Sequence, residues 1–136
     1  MTIIRGDYEF DVDLLKTAAY YKNHSLCGCP GCQRYYTQVE ARFPALSAFL
    51  ADFGVDVSRP DETGWAEDGD EIDYHFVSYT VAGTIRKMGK YEIDLKDGGQ
   101  FLSVVFNRDY IPNEQTFDYF VITVFGIRLP NKDREK

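Results

Sequence analysis

The sequence has no basic stripe. Its 15 lysines and arginines face 22 aspartates and glutamates, for a net charge of −7. Nucleic-acid binding draws most of its affinity from neutralised phosphates, so this balance excludes direct nucleic-acid binding as an expectation. Long apolar runs are missing too. No stretch approaches the roughly 20 apolar residues of a membrane span. The segment Met1–Asp7 lacks the apolar centre of a secretory signal. The longest apolar run, near Tyr119–Ile127, reads as a strand. Cysteine is sparse: three residues, an odd number, all within Cys27–Cys32. That is no secreted disulfide framework, and a reducing cytoplasm is the expected location. Histidine is limited to His24 and His75. No G-x-S-x-G or H-E-x-x-H occurs. Gly98-Gly99 sits in a hairpin, away from any helix start that would cradle phosphate. The acidic run Glu67, Asp68, Asp70, Glu71, Asp73 lacks the spacing of a calcium loop and reads as a solvated hairpin tip.

What is present suffices for a core. The chain has 136 residues, 44% hydrophobic and 15% aromatic. That length fits one domain, taken as 1–136, able to fold without a disulfide or metal. The expected fold class is α+β, with N-terminal helices on one face of a mainly antiparallel sheet of about four to six strands. Residues 1–54 are expected to be mainly helical and to carry the cysteine loop, and 55–136 to form the sheet.

Local signals give the elements. Gly6-Asp7 turns a hairpin between Thr2–Arg5 and Tyr8–Phe10. Asp11 or Asp13 caps a helix bearing Leu14, Leu15, Ala18, Ala19 and Tyr21, and Asn23-His24-Ser25 ends it. A second helix from about Gly31 carries the stripe Cys32, Tyr36, Val39, Phe43, Leu46, Leu50, Phe53. Pro44 breaks it and opens a third, which Gly54 terminates. Beyond lie turn signals at Arg59-Pro60-Asp61 and Glu67–Asp70, with Trp65 on the strand between. Period-two alternation then places Ile72, Tyr74, Phe76, Ser78 and Thr80 on one strand face, and Asp73, His75, Val77, Tyr79 and Val81 on the other, with Gly83 as the end. A hairpin joins Lys90–Leu95 to Gln100–Asn107. Thr116–Arg128, apolar on both faces, reads as a central strand or a homodimer interface.

The chemistry is concentrated in His24-x2-Cys27-x-Cys29-x2-Cys32, which admits three readings. Thiolates and imidazole are zinc ligands, and Gly28 and Gly31 let one loop turn several inward, so Cys27, Cys29, Cys32 and His24 form a candidate metal set. Cys29-Pro30-Gly31-Cys32 at a helix start is a candidate thiol redox pair, without the preceding strand of thioredoxin-like proteins. Cys32, on the apolar stripe, also suits a plain structural loop.

No complete catalytic constellation is visible. The expectation is a non-enzymatic, soluble bacterial binding protein with a structural cysteine loop, which zinc orders in one of its readings. One alternative is an immunity- or inhibitor-type protein, since an acidic surface attracts a basic protein partner. The other is a thiol oxidoreductase using Cys29 and Cys32.

Overall fold

A computed structural model of the chain describes residues 1–108 and 117–131. Thr116, the first residue of the expected last strand, lies outside them. The chain opens with a hairpin of β1 (Thr2–Arg5) and β2 (Tyr8–Val12), turned by Gly6 at φ 55°. Three helices follow: α1 (Leu14–Asn23), α2 (Pro30–Arg42) and α3 (Pro44–Ala51). The remaining strands are β3 (Glu62–Asp68), β4 (Glu71–Lys87), β5 (Ile93–Asp97), β6 (Gln100–Asn107), β7 (Tyr119–Phe125) and β8 (Ile127–Pro130). The fold is α+β, as its sequence pattern implies. Among the described residues the sheet has eight strands rather than four to six, and its pairings are antiparallel in the order β1-β2-β4-β7-β6-β5, with β3 and β8 both on β4.

β4 is the spine. Along one edge it pairs first with β3, through Ser78, and then with β2, from Gly83. Its other edge holds β8 at Glu71–Tyr74 and β7 at Val77–Ala82. The first edge therefore has a gap between β3 and β2, and buried backbone groups there need partners. Helix α1 and the loop before β3 supply them. Asp61 N–H donates to Ser78 O (2.9 Å) and Tyr21 Oη donates to Thr80 O (2.7 Å). Ala82 N–H donates to Thr17 Oγ1 (3.0 Å), and Asp13 N–H donates to Ala82 O (2.9 Å). Thr17 is fully buried for this purpose.

The helix ends follow their sequence signals. Asp13 caps α1 by accepting from Lys16 N–H (2.9 Å). α3 lacks a side-chain cap from Phe43. Asp97, buried at the β5–β6 turn, accepts from Leu46 N–H instead (2.8 Å). Gly54, at φ 82°, closes α3 with paired bonds from Gly54 N–H to Ala51 O and Val55 N–H to Leu50 O, a Schellman ending that needs a left-handed residue.

Two readings of β4 require correction. Gly64 pairs with Phe76 and Trp65 with Tyr74, so β4 carries one extra residue at His75. That bulge shifts the alternation by one. Ile72 and Tyr74 thus share a buried phase with Val77, Tyr79 and Val81, while His75 is exposed. Gly83 does not end the strand. It lies within β4 at φ 146°, opposite Val12, where a Cβ would strike the Asp11 carbonyl, so β2 approaches as closely as it does only because the residue is glycine. On α2, Tyr35 is fully buried and Tyr36 is only partly so. β7 is central, flanked by β4 and β6, with Phe120, Val121, Ile122 and Val124 all buried.

Replacing Thr17 tests the bridged gap. Thr17→Val leaves the Ala82 N–H without an acceptor and is expected to lower the unfolding free energy in urea by about 1–3 kcal/mol, while Thr17→Ser keeps most of it. A Thr17→Val protein as stable as the parent, with the loss found in Thr17→Ser, would assign the effect to the methyl group instead.

Candidate metal centre

The cysteine loop spans the joint between α1 and α2, and its neighbours fix both ends. At the start, Arg59 Nε donates to Tyr21 O (2.7 Å) and its Nη2 to His24 O (3.0 Å), satisfying carbonyls that the end of α1 leaves open. In the middle, Tyr36 Oη donates to Cys27 O (2.9 Å). At the far end, Pro30 opens α2 and Cys29 is its N-cap, accepting from Cys32 N–H at Sγ (3.4 Å). Tyr74, from β4, donates to Gly31 O (2.6 Å). The Trp65 indole packs against Gly31, where any Cβ would overlap its ring.

These restraints bring the three sulfurs together. The Sγ atoms of Cys27, Cys29 and Cys32 all lie within 4.8 Å of one another. Among the described residues they are the one group of three or more cysteine, histidine or carboxylate side chains so placed. Cys27 is exposed, Cys29 half-buried and Cys32 only 5% exposed. Cys29 N–H also donates to Cys27 Sγ (3.4 Å). A cleft of about 220 Å³ opens over them, walled by Tyr36, Glu62 and Trp65. At its base Cys32 Sγ and Thr63 Oγ1 share a hydrogen bond of 3.0 Å.

The other candidate ligand stands apart. His24 caps the end of α1, with Nδ1 3.3 Å from Tyr20 O and its ring stacked on Tyr20 at a centroid distance of 5.0 Å. It is not in the sulfur group, and its buried Nε2 has no hydrogen-bond partner among the described residues. His75 is exposed at the bulge, 3.7 Å from Asp73. The acidic hairpin tip is gathered by Arg128, which reaches Asp68 (2.5 Å), Glu71 (2.8 Å) and Asp73 (3.4 Å).

Sequence reasoning placed the cysteines but missed Thr63, which touches Cys32 from 31 positions away. It placed Trp65 on a strand but not against the loop. The signal for that contact is Gly31 itself, a helix-start glycine with no turn to make.

The thiols are electrostatically unequal. Burial raises the Cys29 pKa, but hydrogen bonds from the Cys32 side chain and backbone, Cys27 and the Trp65 indole outweigh it and bring the thiol down to about 7. Burial pushes Cys32 up to about 11, and its hydrogen bond with Cys29 adds to the rise. Comparison of the chain with protein-family models, curated proteins and solved structures gives no match.

Two outcomes check this geometry. In metal-free reduced protein, alkylation of Cys29 by iodoacetamide is expected to rise with pH through a midpoint near 7, because only the thiolate reacts, while Cys32 stays silent until well above that. A common midpoint near the free-thiol value of about 8.5 would contradict it. Gly31→Ala is expected to destabilise the fold by about 1–3 kcal/mol through overpacking and to alter the fluorescence of Trp65, the chain's one tryptophan. An unchanged emission spectrum would show that the ring does not bear on Gly31.

Proposed function

We propose that this is a soluble, non-enzymatic binding protein whose cysteine loop holds one thiophilic cation, zinc first. The observation that carries the reading is the convergence of three sulfurs from one short loop to within 4.8 Å. Thiolate ligands about 2.3 Å from a tetrahedral zinc lie about 3.8 Å apart, so closing on the ion asks for shifts of about 1 Å or less. The loop has that freedom. A Cβ at Gly28 would meet nothing within 4 Å, while Cys32 is anchored by Thr63 and by its place in α2. The donor set is soft, which favours zinc or a similar ion over calcium or magnesium.

Three sulfurs leave a fourth position. It falls to His24, whose Nε2 is unpartnered among the described residues, or to solvent. The role of the ion is structural in this reading: it ties the start of α2 to the loop that leaves α1.

Cobalt titration of reduced, chelator-treated protein tests the proposal. The expected result is about one equivalent bound, with thiolate charge-transfer absorption, displaced by zinc, and a loss of affinity of roughly tenfold or more in each of Cys27→Ser, Cys29→Ser and Cys32→Ser. His24→Ala shifts the cobalt spectrum if the imidazole is the fourth ligand and leaves it unchanged if solvent is. Protein purified without added metal that carries under about a tenth of an equivalent, and then takes up no cobalt while its three thiols titrate freely, would overturn the reading.

A further inference from the structure

The loop carries more than ligand atoms. Its cysteines differ in access and in attachment, and metal binding alone does not require that. Cys29 is a half-buried helix N-cap that lines the cleft. Cys32 lies one turn further along the same helix, 5% exposed and backed by the Thr63 hydroxyl. Their sulfurs lie within the same 4.8 Å group, on a stretch whose backbone already links them, through Cys32 N–H to Cys29 Sγ. A reachable sulfur in front of a protected one is the arrangement that disulfide exchange needs: the first is attacked or attacks, and the second resolves.

We propose that Cys29 and Cys32 are a dithiol that exchanges with low-molecular-weight disulfides of the glutathione class, and that their oxidation empties the metal site. In the first step the Cys29 sulfur attacks the small disulfide. The external S–S bond breaks, one thiolate leaves, and a mixed disulfide forms on Cys29. In the second step Cys32 attacks the Cys29 sulfur and expels the other small thiolate, closing Cys29–Cys32. Two protons from the protein thiols pass to the two leaving thiolates. The protein loses two electrons and one small disulfide becomes two small thiols. Cys32 is too enclosed to be attacked first, whereas Cys29 is half-buried and lines a cleft that also has Tyr36 and Trp65 in its wall, room for an extended peptide-like disulfide.

The consequence for the ion rests on the reading above. With Cys29 and Cys32 joined, only Cys27 remains as a thiolate in the loop, and one thiolate does not retain zinc against three. The loop is then a site whose occupancy follows the thiol–disulfide balance around it.

The test separates the two claims. Metal-free protein is treated with excess oxidised glutathione, alkylated, and mapped by mass spectrometry. The expected product has lost two thiols, joined as Cys29–Cys32, with Cys27 still alkylated. Cys32→Ser is expected to stop at one glutathionyl group on Cys29, and Cys29→Ser to form no internal disulfide. A glutathionyl group on Cys27 in the Cys32→Ser protein, or an internal bond that includes Cys27 in the parent chain, would overturn the assignment, as would three thiols that stay reduced. Because Cys32 is in the core, far-UV circular dichroism of each variant accompanies the mapping. In a parallel arm the zinc-loaded protein meets the same oxidant with a chromogenic chelator present. One zinc released for each disulfide formed supports the coupling. A disulfide that forms while zinc stays bound overturns it. Failure to load zinc with normal Cys29–Cys32 closure removes the metal reading and leaves the exchange chemistry standing.

Discussion

The structure depends on what happens at one stretch of backbone, Tyr79–Ala82 of β4. There β7 pairs with one edge, but the other edge, between β3 and β2, has no strand beside it among the described residues, and an unpaired buried carbonyl or N–H there would cost about 1–3 kcal/mol, a large part of a fold's margin. Helix α1 meets that demand with a threonine hydroxyl, a tyrosine hydroxyl and its own first-turn backbone. The helix is thereby held in one rotation and one axial position. Because α1 is fixed, its last carbonyls meet Arg59, and the loop that leaves it starts in a defined direction. The convergence of three sulfurs is the downstream result of a hydrogen-bonding requirement in the sheet.

Tyrosine hydroxyls repeat this theme. Tyr35 and Tyr79 are fully buried and joined at 2.6 Å, and Tyr79 reaches Val57 O at 2.7 Å. Tyr74 reaches Gly31 O, and Tyr8 reaches Tyr91 O at 2.8 Å. Each ring contributes apolar area, and each hydroxyl accepts only one arrangement of its neighbours. Burial raises the pKa of Tyr35, Tyr74 and Tyr79, which keeps these phenols neutral. A core built this way is specified by polar contacts between helix and sheet as well as by volume.

Much of this was legible in the chain itself. Caps, turns and the proline break rest on one to four neighbouring residues, so Gly6 and Pro44 could be read directly and the α1 cap narrowed to Asp11 or Asp13, of which the structure uses Asp13. The helical stripe held because burial and period coincide at Val39, Phe43, Leu46 and Leu50. The strand phase of β4 failed at His75, since a bulge is a relation between two strands and leaves no mark in one of them. Gly83 resembled a terminator because a close approach by β2 and a chain break both select glycine. The cysteines announced themselves by spacing, but Thr63 and Trp65 entered the site through strand pairing, which sequence period does not encode. The strand count fell short because the N-terminal hairpin pairs onto β4 and adds β1 and β2 to the sheet, and because Gly126, at φ 100°, divides what reads as one apolar run into β7 and β8.

The cap on α3 has a consequence for the order of events during folding. Asp97 lies 51 positions beyond the Leu46 N–H that it holds, at the tip of a hairpin whose Gly98 fits against the Arg42 carbonyl and the Phe43 ring. The short helix after Pro44 therefore cannot be finished by its own segment. Its capping bond forms only once the Ile93–Asn107 hairpin has brought Asp97 across the sequence. Such a long-range dependence slows the search and couples the two halves of the chain into one cooperative unit, so that neither the helical segment nor the sheet is expected to melt alone.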